Sequence, residues 1–119
     1  MFSLQWVVLA AMLWLPLPTL AAQPSQPGLS SIPVAELPAE ARATLRAIKR
    51  GGPFAFARDG AVFNNFETVL PRQKRGYYHE YTVKTPGVHN RGVRRIISGK
   101  TDEYYYTADH YQSFKKILE

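Results

Sequence analysis

The sequence predicts an α+β domain in which one amphipathic helix covers one face of a twisted antiparallel sheet. Three observations carry that reading: a single stretch with helical periodicity, a series of short β-type runs punctuated by turn residues, and their order, helix first and strands after it without alternation.

The helix is the segment from Pro38 to Arg50, where Ala41, Leu45 and Ile48 recur on one face. Its ends agree with it. Pro38 suits the first helical position, Glu40 the positive N-terminal end, Lys49 and Arg50 the negative end, and Gly51-Gly52 the stop. Its outward basic residues read as a solvated face. From Pro53 onward the candidate strands are Ala61–Phe63, Tyr77–Val83, Arg94–Ser98, Tyr104–Thr107 and Ser113–Ile117. The breaks between them are Pro71–Gly76, Pro86-Gly87 and Gly99–Asp102. With the helix on one face, the opposite face is expected to form a groove. Tyr104, Tyr105, Tyr106 and Phe114 read as core aromatics.

Ahead of this domain, residues 1–22 carry no charged side chain, and Trp6 to Leu15 form an apolar run followed by Pro16, Pro18 and the small pair Ala21-Ala22. That is the pattern of a secretory signal peptide, although no Lys or Arg precedes the run. The run is too short and proline-broken to span a bilayer comfortably, so no membrane association is expected after cleavage. Residues 23–36 are rich in Pro, Ser and Gln and are expected to be a flexible lead-in, leaving residues 37–119 as the domain. About 97 residues remain after cleavage, enough for one core and too few for two.

The net charge of +6 lies entirely in this remainder and favours polyanionic partners, though basic balance alone settles little. Cysteine is absent, so an exported domain would hold together by its aromatic core without disulfides. Three dispersed histidines without cysteine or a carboxylate cluster make no convincing metal-ligand set, and no cofactor is expected.

The chemistry concentrates in the C-terminal half, where Glu80, Arg91, Arg94, Arg95 and His110 stand among tyrosines. A carboxylate, a histidine and arginines are what phosphodiester cleavage beside a ribose hydroxyl requires: a base, an acid and cations for the developing phosphorane charge. Strand alternation puts Tyr78, Glu80 and Thr82 on one side and Tyr77, His79, Tyr81 and Val83 on the other. If Tyr77, Tyr81 and Val83 build the core under the helix, Glu80 faces the groove and His79 does not.

The segments Gly76–Val83, Thr85-Pro86-Gly87, Arg91–Ile97 and Tyr105–Tyr111 resemble the secreted microbial guanyl-specific ribonucleases, the family that includes barnase. The likeness runs from Leu37 to the C-terminus. The resemblance implies that Glu80 is the general base, His110 the general acid, and Arg91 and Arg95 the pair holding the scissile phosphate, with Arg94 a lesser candidate. It also implies that Phe63-Asn64-Asn65-Phe66-Glu67 is a guanine-recognition loop in which backbone N–H groups and the Glu67 carboxylate read the base edge. Tyr111 and Phe63 could pack around base or phosphate. His79 and His89, matched to no motif, read as structural or surface residues, and Arg72, Lys74 and Arg75 as a solubilising turn. The clearest departure from the family pattern is Phe66, which stands where an arginine is usual; the chain also lacks the disulfide that some members of the family carry.

The function so implied is a secreted, extracellular or periplasmic, metal-independent endoribonuclease. It would cut single-stranded RNA on the 3′ side of guanosine through a 2′,3′-cyclic phosphate, and would be monomeric, with a barstar-like acidic protein inhibitor as a further partner. The competing reading, motivated by Phe66, is a catalytically weak or inert basic module of the same fold that binds RNA or a protein partner.

Overall fold

A computed structural model describes residues 29–119. The expected signal peptide and the first part of the lead-in lie outside the described residues. Six strands and one helix follow in order: β1 (Leu29–Pro33), a 3-10 turn at Val34–Glu36, α1 (Ala39–Arg50), β2 (Ala61–Phe63), β3 (Tyr78–Thr82), β4 (Arg95–Ser98), β5 (Tyr104–Thr107) and β6 (Phe114–Leu118). They form one sheet in the order β1-β6-β5-β4-β3-β2, antiparallel throughout except for the parallel pair β1 and β6.

β1 corrects the expected lead-in. Leu29–Pro33 pairs with the last strand in the register Leu29↔Phe114 and Ile32↔Ile117. Ile32 and Val34 pack against the core under the helix, and Leu29 against the opposite face. Only two of the five strand residues are half-buried, so the apolar pattern is sparse. What orders the segment is the otherwise unpaired edge of β6, and that edge lies more than eighty residues away in the chain.

α1 forms as its ends dictate. The start lies one residue later than expected, with Pro38 as the cap residue and Ala39 the first helical position; Glu40 sits in the first turn, Lys49 and Arg50 in the last, and Gly51 at φ 85° closes the helix in the left-handed conformation. The Gly52 N–H then donates to the Ala47 carbonyl at 2.9 Å. Ala41, Leu45 and Ala47 are buried, while Ile48 is half-buried at the margin of the same cluster. The helix covers Val83, Ile96, Tyr104, Tyr106 and Ile117. The Thr44 hydroxyl donates to the Thr82 carbonyl at 3.0 Å, and Arg94 pairs with Glu40 at 3.3 Å, so the helix is braced to β3 and to the start of β4.

The opposite face is not an open groove along its whole length. Leu70, carried by the long loop between β2 and β3, closes a second core with Tyr78, Ile97, Tyr105 and Phe114. Tyr77 belongs on this side and not under the helix: it precedes β3, and its hydroxyl donates to the Glu103 carboxylate at 2.9 and 3.0 Å. Tyr81 is half-buried, its ring 5.1 Å from that of Phe54. The alternation within β3 is as read, with Tyr78, Glu80 and Thr82 buried and His79 and Tyr81 less so. Beside the second core, the cleft that remains is bordered by the β2–β3 loop, the centre of β3 and the loop after β5.

Candidate active site

A cavity of about 830 Å³ opens over β3, and every site residue expected from the sequence lines it except Arg95 and the lesser candidate Arg94. Its floor is Glu80, a carboxylate 5 % exposed at the middle of β3, between Ala61 of β2 and Ile97 of β4. A buried carboxylate needs charged or hydrogen-bonding partners, and this one has four among the described residues. Oε1 accepts from the Tyr111 hydroxyl at 2.6 Å and from Arg91 Nη2 at 3.1 Å, with Arg95 Nε at 3.7 Å. Oε2 faces Arg58 Nε at 3.4 Å.

Arg95, 3 % exposed, lies behind the cavity wall. Its Nε donates to the Tyr111 hydroxyl at 2.9 Å and its Nη1 to the Arg94 carbonyl at 2.8 Å, so the buried guanidinium is hydrogen-bonded as well as paired with Glu80. Arg91 is aimed by a second bond, from its Nε to the Thr82 hydroxyl at 3.0 Å. Arg94 points away from the cleft, donating to the Lys84 carbonyl and pairing with Glu40. Strand alternation separates the two neighbours: Arg95 serves the cleft, Arg94 the helix brace.

Tyr111 is the junction of the site. Its hydroxyl joins Glu80 to Arg95, and its ring stacks on Phe63 at 5.2 Å between centroids. Burial, then the hydrogen bond to Glu80, pushes the Tyr111 phenol upward, so the group remains a neutral donor.

His110 and Tyr111 both take left-handed backbone, at φ 59° and 74°, a conformation that side-chain-bearing residues adopt only when their surroundings hold them there. Asp109 does the holding. Its Oδ1 accepts from the Thr107 hydroxyl at 2.8 Å and from the Gln112 and Ser113 N–H groups at 3.1 and 2.9 Å, and its Oδ2 from the Ser113 hydroxyl at 2.6 Å. The Ser113 hydroxyl first, with the other donors, draws the Asp109 carboxyl down to about 2. The His110 N–H donates to the Val93 carbonyl at 3.1 Å, which ties this loop to the segment carrying Arg91 and Arg95. The His110 ring, tilted against Tyr111, is thereby presented at the cavity mouth.

The other wall is the Phe63–Glu67 loop. Asn65, at φ 54°, spends its side chain on the loop itself: Nδ2 donates to the Leu70 carbonyl at 3.0 Å and Oδ1 accepts from the Leu70 N–H at 3.2 Å. Its side chain therefore shapes the loop, whereas those of Asn64 and Glu67 are exposed at the cavity. Phe66 is 87 % exposed beside them.

Arg58 is the site residue that sequence reasoning missed. It precedes a turn in which Asp59 Oδ1 accepts from the Thr82 N–H at 2.8 Å and the Gly60 N–H donates to the Glu80 carbonyl at 2.8 Å. The Asp59-Gly60 turn signal was available, but its docking on β3 was not. His79, by contrast, is structural, with Nδ1 2.9 Å from the Gly60 carbonyl oxygen. Among the described residues, no group of three or more His, Cys, Asp or Glu side chains could hold a metal ion.

Together these groups can bind an anion and move protons on either side of it: a shielded carboxylate, three guanidinium groups, a neutral phenol and an exposed imidazole. The comparisons point the same way. The model of a ribonuclease family matches residues 21–118. Guanyl-specific ribonuclease St of Saccharopolyspora erythraea is 50 % identical over 91 residues, 76 % of this chain and 90 % of that protein. Guanyl-specific ribonuclease Sa of Kitasatospora aureofaciens is 58 % identical over 82 residues, 68 % of this chain and 85 % of that one. Among solved structures, ribonuclease Sa2 in complex with mononucleotides superposes with a TM-score of 0.77 at 44 % identity, covering 78 % of this chain and 97 % of the other. A structure of ribonuclease Sa2 with guanosine-2′-cyclophosphate superposes with a TM-score of 0.73, also at 44 % identity, covering 76 % and 96 %.

Proposed function

Because the chain belongs to the family of guanyl-specific microbial ribonucleases, we propose that it is an endoribonuclease cutting single-stranded RNA on the 3′ side of guanosine through a 2′,3′-cyclic phosphate. The observation that carries this reading is the buried Glu80 carboxylate, ringed by guanidinium groups and a phenol, on the floor of a cavity whose mouth holds the exposed His110.

Glu80 accepts the proton of the ribose 2′-hydroxyl, whose oxygen attacks the adjacent phosphorus. His110, reaching in from the loop after β5, donates a proton to the departing 5′-oxygen. Arg91 and Arg95 lie against Glu80, where the phosphorane oxygens gather negative charge, and their fixed hydrogen bonds to Thr82 and the Arg94 carbonyl leave little to reorganise as that charge develops. In the second step His110 takes a proton from water, the resulting nucleophile opens the cyclic phosphate, and Glu80 returns its proton to the 2′-oxygen. DNA, lacking the attacking hydroxyl, is not a substrate.

Glu67 accepts from the ring N–H and exocyclic amine of guanine, and Phe63 with Tyr111 supplies an aromatic wall. The basic cleft suits an acidic protein inhibitor, whose carboxylates would replace RNA phosphates against Arg58 and Arg91. The enzyme acts as an exported protein and as a monomer; the charge-free apolar stretch of residues 1–22 supports the export, and no described helix is long and apolar enough to cross a membrane.

The test is incubation of the chain lacking residues 1–22 with a short RNA containing a single guanosine, in the presence of a chelator. The expected products are a guanosine 2′,3′-cyclic phosphate end, later a 3′-phosphate, and a free 5′-hydroxyl. Cleavage elsewhere, loss of cleavage in chelator, or no cleavage would overturn the proposal.

A further inference from the structure

The two oxygens of Glu80 are not equivalent. Oε1 is saturated by the Tyr111 hydroxyl and Arg91, with Arg95 behind them. Among the described residues, Oε2 meets only the ion pair with Arg58, at 3.4 Å from Nε. The oxygen with room for a new hydrogen bond is therefore Oε2, and a 2′-hydroxyl arriving there meets Arg58 first.

The three arginines also differ in freedom. The Arg95 side chain is 3 % exposed and that of Arg91 28 %, and both donate to fixed neighbours, whereas the Arg58 side chain is 61 % exposed. Its backbone, however, is fixed, because Asp59 accepts from the Thr82 and Phe56 N–H groups and Gly60 donates to Glu80. A long, solvated side chain on an anchored base can swing without loss of position. Of the three guanidinium groups around Glu80, only Arg58 and Arg91 line the cavity, and its loop wall ends in the uncharged, exposed Phe66.

We propose that Arg58 is a third phosphate-binding residue, which rests on Oε2 of Glu80 in the free protein and turns onto the scissile phosphate when the 2′-hydroxyl of guanosine takes that oxygen. The proposal rests on the ribonuclease reading above. The reacting 2′-oxygen and the phosphorus are neighbours, so a guanidinium displaced from the base by the first lies within a short swing of the second. The exchange keeps Arg58 paired with an anion throughout. It also shields the carboxylate from other cations until substrate arrives. A fork of N–H donors can hold a phosphate oxygen pair, which an ammonium cannot copy.

The test compares wild type, Arg58→Ala and Arg58→Lys on guanylyl-3′,5′-cytidine, which carries the scissile phosphate and no other. The dissociation constant of guanosine 3′-monophosphate is measured in parallel. Loss of a charge-assisted contact predicts kcat/KM lower by roughly ten- to a hundred-fold for Arg58→Ala, with partial recovery in Arg58→Lys, and weaker binding of the monophosphate. On a longer RNA, the slope of log kcat/KM against log salt should flatten by about 0.7 in Arg58→Ala, the value for one phosphate contact on a single strand. A merely structural role for this exposed side chain would leave the slope and the monophosphate affinity unchanged. Arg58→Ala within about two-fold of wild type on the dinucleotide, or a loss confined to longer RNA, would overturn the inference while leaving the ribonuclease reading intact. A wild type that binds the monophosphate without cleaving would overturn the ribonuclease reading, and the affinity difference would then decide the Arg58 contact alone.

Discussion

Replacing Tyr111 with Phe removes one oxygen atom from the centre of the site and leaves the ring stacked on Phe63. That oxygen donates to Glu80 at 2.6 Å and accepts from Arg95 at 2.9 Å, and both partners are nearly inaccessible to water, at 5 % and 3 % exposure. A hydrogen bond to a charged group is worth roughly 1.5–3 kcal/mol net, so two unreplaced bonds set an upper bound of about 3–6 kcal/mol. The remaining contacts reduce this. Glu80 Oε1 keeps Arg91 at 3.1 Å, and Arg95 keeps the Arg94 carbonyl at 2.8 Å. A loss of about 2–3 kcal/mol follows, which in a domain of this size lowers Tm by about 10–20 °C. Urea unfolding at pH 7 should show a lower midpoint with an unchanged m-value, and cleavage of a guanosine dinucleotide should show a fall in kcat larger than any rise in KM, because the phenol orients the base and not the substrate. A stability change below about 0.5 kcal/mol would refute the reasoning, since it would mean that water or a rearranged Arg95 satisfies Glu80 without cost.

Four further outcomes are expected. His110→Asn, chosen because Asn tolerates the left-handed backbone at this position, should lower cleavage by roughly two orders of magnitude or more with little change in unfolding midpoint; wild-type-like turnover would remove His110 from the acid role. Glu67→Ala should flatten the preference for guanosine, seen by product mapping on RNAs differing at one nucleotide, more than it weakens binding of the RNA backbone. Phe66→Arg should raise the cleavage rate at low salt, with the gain shrinking across a salt series as the added charge is screened; no gain would indicate that Phe66 acts through hydrophobic contact. Burial, then the Glu103 charge, pushes the Tyr78 phenol up to about 12 and Tyr105 upward as well. The folded chain therefore keeps protons that the unfolded chain releases near pH 10, so this contribution is fully present below about pH 10 and is lost as the pH rises toward 12. Thermal melts from pH 9 to 12 should show Tm falling across that window, and a flat profile would contradict it.

The sequence by itself determined the parts whose causes are local. Helix α1 is written in the spacing of Ala41 and Leu45, and its end in Gly51. The five later strands fall within about a residue of their apolar and turn signals because alternation and chain-breaking are properties of neighbouring residues. The family motifs likewise named Glu80, Arg91, Arg95, Glu67 and His110, and the cavity gathers all of these except Arg95, which backs it. Tertiary structure decided what depends on distant partners. Leu29–Pro33 carries too sparse an apolar pattern to declare itself a strand and becomes one only against β6. Tyr77 left the helix side because Glu103 and the second core claim it. Asn65 proved a brace of its loop, and Asp109 the anchor of His110, through hydrogen bonds that composition does not encode. Arg58 reached Glu80 because the Asp59-Gly60 turn docks on β3, bringing together side chains twenty-two positions apart. Residue type supplies the charge, but which charges meet is set by register and docking, and those are fixed only when the whole sheet has formed.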